Sequence, residues 1–249
     1  MDTMIDHSQD HSDEVRRLFN TQAATWSARY TSGGIFIERL GLFISVLSEH
    51  LSAGGRVLDF GCGTGEIARA AADAGLQVTG CDISELMLRS ASSQDHDGAV
   101  EWVQLEPQWR KLPFSAGIFD AIVAASVLEY IEDPSAVLDE CARVLRPGGL
   151  LVCTVPDPRH PIRWFESLVG TFVRIPVTSI TRRNWPKLDD YISYLQISRQ
   201  RHKAGWWRAA AERAGLQSIP CPVDTAGYSR HSRLRLLTFG RPREAGKHS

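Results

Sequence analysis

The residues of this chain best placed for chemistry lie together in Asp59-Phe60-Gly61-Cys62-Gly63-Thr64-Gly65-Glu66. Residues 56–60 read as a short buried strand, and 66–74 are strong helix formers. Between them three glycines at alternate positions make a tight turn, whose backbone reaches φ > 0 and comes close to a ligand because no Cβ intervenes. A strand, a glycine turn and a helix together present a ligand to the free N–H groups of a helix N-terminus. The spacing argues against a dinucleotide: G-x-G-x-x-G needs its third glycine where Glu66 stands. Asp59, two residues ahead of Gly61, suits a ligand with a cationic amino group.

A second acid, Asp82, ends the strand predicted over 77–82. An acid there is placed to accept both hydroxyls of a ribose; its other reading is the N-cap of a helix over 84–93. The pattern D-x-G-x-G-x-G resembles the first motif of the class I S-adenosylmethionine (SAM) dependent methyltransferases. The likeness covers about 50–156. Leu112-Pro113-Phe114 with Phe119-Asp120 looks like the approach to the fourth strand of that family. The whole is similar to its small-molecule branch, which includes ubiquinone and menaquinone biosynthesis methyltransferases. The resemblance implies SAM as cofactor, held by Asp59, Gly61, Cys62, Gly63, Gly65, Asp82, Ile83 and Ser126. It also implies a polar group for adenine after the third strand. Glu106 is the candidate and Gln108 the second, in a run two residues longer than the usual pattern. Trp109 either stacks on adenine or packs. Trp26 and Tyr30 are core residues, or belong to the aromatic N-terminal helix that in such enzymes closes over SAM.

Methyl transfer from a sulfonium is an in-line displacement at carbon, so alignment does most of the work and a strong base is optional. The candidates next to the reacting centre are Tyr130 and Glu129, after the fourth strand, with His160 further on as an alternative base. The ubiquinone-type relatives tend to have His where Tyr130 stands, and a neutral tyrosine, with a reference pKa of about 10, is a poor base near neutrality. The run Ala124-Ala125-Ser126-Val127 lacks the Asn/Asp-Pro-Pro-aromatic signature of amino-methylating enzymes, and Pro220-Cys221 lies on the sixth strand, away from a cytosine C5 nucleophile's position.

These residues need an α/β scaffold. Apolar steps of three and four predict helices from 13 and over 35–52; strands follow at 56–60, 77–82, within 98–105, at 121–125 and 150–155, with helices over 66–75, 84–93 and 134–145 between them. This alternation predicts a Rossmann-like, seven-stranded, mostly parallel sheet with helices on both faces and an antiparallel last strand. The domain plan is a disordered tail over 1–12 and one methyltransferase domain over 13–249. Within it come N-terminal helices (13–52), the SAM core (53–156), a helical cap insertion (157–204), and a last helix with a C-terminal hairpin (205–249). The insertion holds nine Lys and Arg against four Asp and Glu, a surplus of five, while the 249-residue chain carries −1. Phe165, Leu168, Phe172 and Tyr191 are expected to line an acceptor pocket there, with Arg159, Arg163, Arg182 and Arg183 to receive an anionic end.

Hydrophobic content of 43% and charged content of 23% fit an ordinary soluble protein, and the near-zero charge gives no general attraction to nucleic acid. Five scattered cysteines with no C-x-x-C spacing speak against disulfides and a zinc site, and for a reducing cytoplasm. The polar, acidic start is not a signal peptide, and no apolar run reaches the roughly 20 residues of a membrane span. The expected function is methylation of a small-molecule acceptor. The alternatives are a carrier-bound or macromolecular substrate that uses the basic insertion, and a SAM-binding protein without catalysis.

Overall fold

The structure, a computed structural model, describes residues 7–31, 34–160, 194, 197–198, 200, 202–225, 228 and 232–243. The expectations for 161–193, including Phe165, Leu168, Phe172, Tyr191, Arg163, Arg182 and Arg183, lie outside the described residues.

Seven strands form one sheet: β1 (Arg56–Phe60), β2 (Gln77–Asp82), β3 (Val100–Gln104), β4 (Phe119–Ala124), β5 (Leu145–Pro156), β6 (Gln217–Ser218) and β7 (Leu234–Gly240). Their order is β3-β2-β1-β4-β5-β7-β6. All pairs through β5 are parallel, and β7 runs antiparallel to both β5 and β6. The order reverses between β1 and β4, and such a switch point opens a crevice beyond the carboxyl ends of the strands. The helices are α1 (His7–Trp26), α2 (Ala28–Thr31), α3 (Ile35–His50), α4 (Glu66–Asp73), α5 (Glu85–Ser93), α6 (Pro134–Val144) and α7 (Ala204–Arg213).

Alternation along the strands divides the core. Val57, Ala121, Val123, Leu150 and Val152 pack on one side with Phe43, Val46 and Leu47 of α3 and Ile67 and Ala71 of α4. Leu58, Phe60, Ile122, Ala124, Leu151 and Cys153 pack on the other with Leu138 of α6 and Trp207 of α7. Both faces are covered, which is why these strands read as nearly continuous apolar runs.

Several boundaries differ from those read in the sequence. α1 begins at His7 rather than 13, so the helix takes in part of the segment assigned to a tail. β5 begins at Leu145, because Phe119 pairs with Leu145 before the register shifts and Ala121 pairs with Leu150; the Pro-Gly-Gly run is absorbed as an irregularity of the strand. β6 is only two residues long. Ser84, not Asp82, caps α5: its hydroxyl oxygen accepts from Met87 N at 3.2 Å.

The glycine turn is held by packing as well as by its backbone. At Gly65, φ is +81°, and an added Cβ would fall inside Trp102 Cη2 and 3.0 Å from Ala91 Cβ. At Gly61, φ is +70°, and a Cβ would lie 2.5 Å from Val127 Cγ2. Gly65→Ala is therefore expected to cost about 3 kcal/mol through left-handed strain and overpacking, a drop in Tm of about 6–12 °C. Thermal unfolding checks this; an unchanged melt would show that Trp102 yields freely.

Candidate active site

A cavity of about 360 Å³ lies at the switch point. Its floor is the glycine turn, Asp59, Asp82 and Ile83, with Ala125, Ser126 and Val127 following β4. One wall is Leu105, Pro107, Gln108 and Trp109; the roof is Val15, Phe19, Trp26 and Tyr30 from α1 and α2, with Arg39 of α3 and Tyr130 beside them. The roof rings meet edge to face: Phe19 with Tyr130 at 5.1 Å, Phe19 with Trp26 at 5.5 Å.

Asp82 holds the turn in shape. Its Oδ2 accepts from Gly63 N at 2.9 Å and its Oδ1 from Ser84 N at 2.8 Å. Burial raises its pKa, and these backbone N–H groups oppose the rise. Each oxygen keeps a lone pair for a further donor. Asp59 is 2% exposed, and its Oδ2 has no partner. Burial first, then the negative charges of Asp82 and Glu66, push its carboxyl up to about 7.

The same cavity holds Arg39, itself only 5% exposed. Its Nη1 donates to Ser126 Oγ at 2.6 Å and its Nη2 to Tyr30 Oη at 2.7 Å, while Nε is buried and unpartnered. Burial works against its charge, but Tyr30, Tyr228 and Glu129 around it hold its pKa above the ordinary value. Because the guanidinium only donates, both hydroxyl oxygens accept from it, and each keeps its own proton to donate elsewhere. Ser126 has φ 55°, the one positive φ outside glycine among the described residues, and its N donates to Thr154 Oγ1 at 2.8 Å. The cavity thus joins a buried anion, a buried cation, two hydroxyl donors and an aromatic roof.

A family model described as a methyltransferase domain matches residues 58–153. The demethylmenaquinone methyltransferase of Tropheryma whipplei is 32% identical over 183 residues, 68% of this chain and 70% of the relative. The ubiquinone biosynthesis O-methyltransferase of Bordetella avium is 32% identical over 182 residues, 71% of this chain and 70% of the relative. The chain belongs to the SAM-dependent methyltransferases. The fold agrees. Magnesium protoporphyrin IX methyltransferase of Synechocystis PCC 6803, solved with bound SAH, superposes with a TM-score of 0.66 at 19% identity, covering 91% of this chain and 98% of that one.

In this methyltransferase Asp59, Gly61, Cys62, Gly63, Asp82, Ile83, Ser126 and Tyr130 all line the cavity. Gly65 lies behind it, packed on Trp102. Glu106 is exposed and absent from the wall, where Leu105, Pro107 and Gln108 stand instead. Leu105 N donates to Asp82 O at 2.9 Å, prolonging the ladder by one residue, and the turn closed by Trp109 N to Glu106 O follows at once. Glu129 is 2% exposed but does not face the cavity, and His160 is also absent from its wall. Arg39, Phe19 and Val127 line the same cavity without a motif to announce them, and Gln108, the second adenine candidate, lines it too. Among the described residues no helix is long and apolar enough to cross a membrane, and no cluster of metal-ligand type occurs.

Proposed function

We propose that this methyltransferase transfers the methyl group of SAM to a small, largely apolar acceptor bearing a hydroxyl or an anionic group, with no general base from Tyr130. One observation carries the cofactor placement: the unpartnered Oδ2 of buried Asp59 shares a cavity with the buried guanidinium of Arg39. These are complementary to the ammonium and carboxylate of an amino acid. Asp59 would hold the ammonium. Arg39, with the hydroxyls of Tyr30 and Ser126, would hold the carboxylate. Asp82 would take the ribose hydroxyls, and Gln108 the adenine edge. When bound, SAM supplies an electrophilic methyl on a good leaving group. The chain's task is to align the acceptor and exclude water, which the aromatic roof suits.

Tyr130 is buried and its hydroxyl pKa lies well above the ordinary value, first through burial and then through Glu129. It stays protonated at neutral pH and serves as a wall. Tyr130→Phe should keep turnover within tenfold of wild type, below the roughly 10²–10⁴-fold expected for an acid–base residue. A larger loss with intact SAM affinity would overturn that role.

The insertion is our candidate for selecting the acceptor. Its described end already touches the loop after β4: Tyr194 meets Tyr130 at 6.2 Å, Gln200 N donates to Glu129 O at 3.2 Å, and Gln200 Nε2 donates to Glu132 O at 3.0 Å. The two relatives named for quinone biosynthesis support a small-molecule acceptor. The test is transfer of labelled methyl from SAM into extracted metabolites and a panel of phenols and carboxylates. Label appearing only in protein or nucleic acid would refute the small-molecule reading.

A further inference from the structure

One tie between the roof helix α1 and the cofactor floor runs through an amide. Asn20, in the middle of α1, accepts through Oδ1 from Ser84 Oγ at 2.6 Å and from Leu86 N at 3.4 Å. Both partners are donors, so the oxygen rather than the NH₂ group faces α5. Ser84 is fully buried. Its oxygen accepts from Met87 N, so its single proton is free to go to Asn20, and its own N–H is spent on Asp82 Oδ1. A continuous path therefore runs from α1 through Asn20 and Ser84 to the acid on the cavity floor. Asn20 borders Phe19, which lines the cavity directly.

We infer that Asn20 is a positioning residue that latches the α1 roof to the N-terminus of α5, and through Ser84 holds Asp82 in its ligand-accepting geometry. The inference rests on the cofactor placement proposed above for its effect on binding, but the latch itself exists without a ligand. The latch holds the roof over the cavity, so its loss is expected to act on the departure of the cofactor more than on its arrival.

Three full-length variants test it. Asn20→Leu keeps the shape and removes the acceptor, Asn20→Ala is the milder truncation, and Asn20→Asp keeps an oxygen for both donors. In the protein without ligand, amide hydrogen exchange across 12–26 should rise about three- to tenfold in the Leu and Ala variants and return to within twofold of wild type in the Asp variant. The rate of S-adenosylhomocysteine release should rise by the same factor, with the association rate within twofold. Unchanged α1 exchange in Asn20→Leu overturns the latch, as does an Asp variant that is folded by thermal melt yet behaves like the Leu variant. Wild-type protein that fails to bind S-adenosylhomocysteine would defeat the cofactor placement alone; the exchange comparison would still decide the latch.

Discussion

Asp59→Asn should make the ligand-free protein more stable at pH 8 while weakening its grip on SAM. The folded carboxyl titrates at about 7 against an ordinary 3.8, raised by burial and by neighbouring Asp82 and Glu66. The folded state therefore holds this proton more tightly than the unfolded chain does. Stability from this group is fully present below about pH 4, is lost as pH rises toward 7, and is level above that. The difference corresponds to about 4 kcal/mol at its upper limit. Asparagine removes the ionisation, so the variant should gain several kcal/mol at pH 8 and almost nothing at pH 4. At roughly 2–4 °C per kcal/mol this is readily seen in a melt. Binding moves the other way. An ammonium ligand needs the carboxylate, so wild-type SAM affinity should climb as pH rises through about 7, until the ligand's α-amino group, with a reference pKa of about 7.7–8.0, begins to lose its own proton. The variant should lose roughly 10–100-fold at pH 8 and show no such slope. Calorimetry and melts at pH 4, 6 and 8 check both halves. A variant less stable than wild type at pH 8, or one that keeps the pH slope, would refute the assignment.

The two acids were legible in the sequence because their positions follow from local rules. Asp59 stands one residue before the end of β1 and Asp82 at the end of β2, which the glycine turn and the following helix bring to one edge, and nothing distant is needed to place them. The same locality revealed Gly61 and Gly63. Gly65 is a different case, since its neighbour Trp102 belongs to β3 and only the folded sheet brings the ring beneath the turn. Glu106 stands outside the cavity for a related reason. No periodicity governs the loop after β3, and the early turn at Trp109 decides which side chains face inward. Arg39 left a signal that went unread. It lies on the stripe Leu42, Phe43, Val46 and Leu47 of α3, three or four residues from its neighbours, where a surface helix would bury another apolar side chain. A charged residue on a buried stripe calls for partners, and here they are Tyr30, nine residues earlier, and Ser126, 87 residues later, the second far in sequence.

Arg39→Met should cost SAM affinity far more than it costs stability. The substitution replaces a buried cation, hydrogen-bonded to two neutral hydroxyls, with an apolar side chain of similar length, so the desolvation cost of the charge is removed along with the two bonds. Tyr30 and Ser126 each lose an accepted hydrogen bond but keep their own donors, so Tm should shift by only a few degrees. The ligand's carboxylate, by contrast, would lose the buried cation proposed to hold it. Loss of hydrogen bonds to a charged group amounts to about 2–4 kcal/mol, or roughly 30–1,000-fold in affinity. A decarboxylated SAM analogue separates this role from general damage. Wild type should bind the analogue more weakly than SAM by about the factor lost in the variant. The variant should separate the two ligands far less, because only the hydroxyls of Tyr30 and Ser126 are left to read the carboxylate. Calorimetry over the four combinations of protein and ligand gives that coupling directly. If the variant still prefers SAM to the analogue by the wild-type factor, Arg39 does not read the carboxylate, and the pairing of a buried anion with a buried cation no longer supports the placement of the amino acid end.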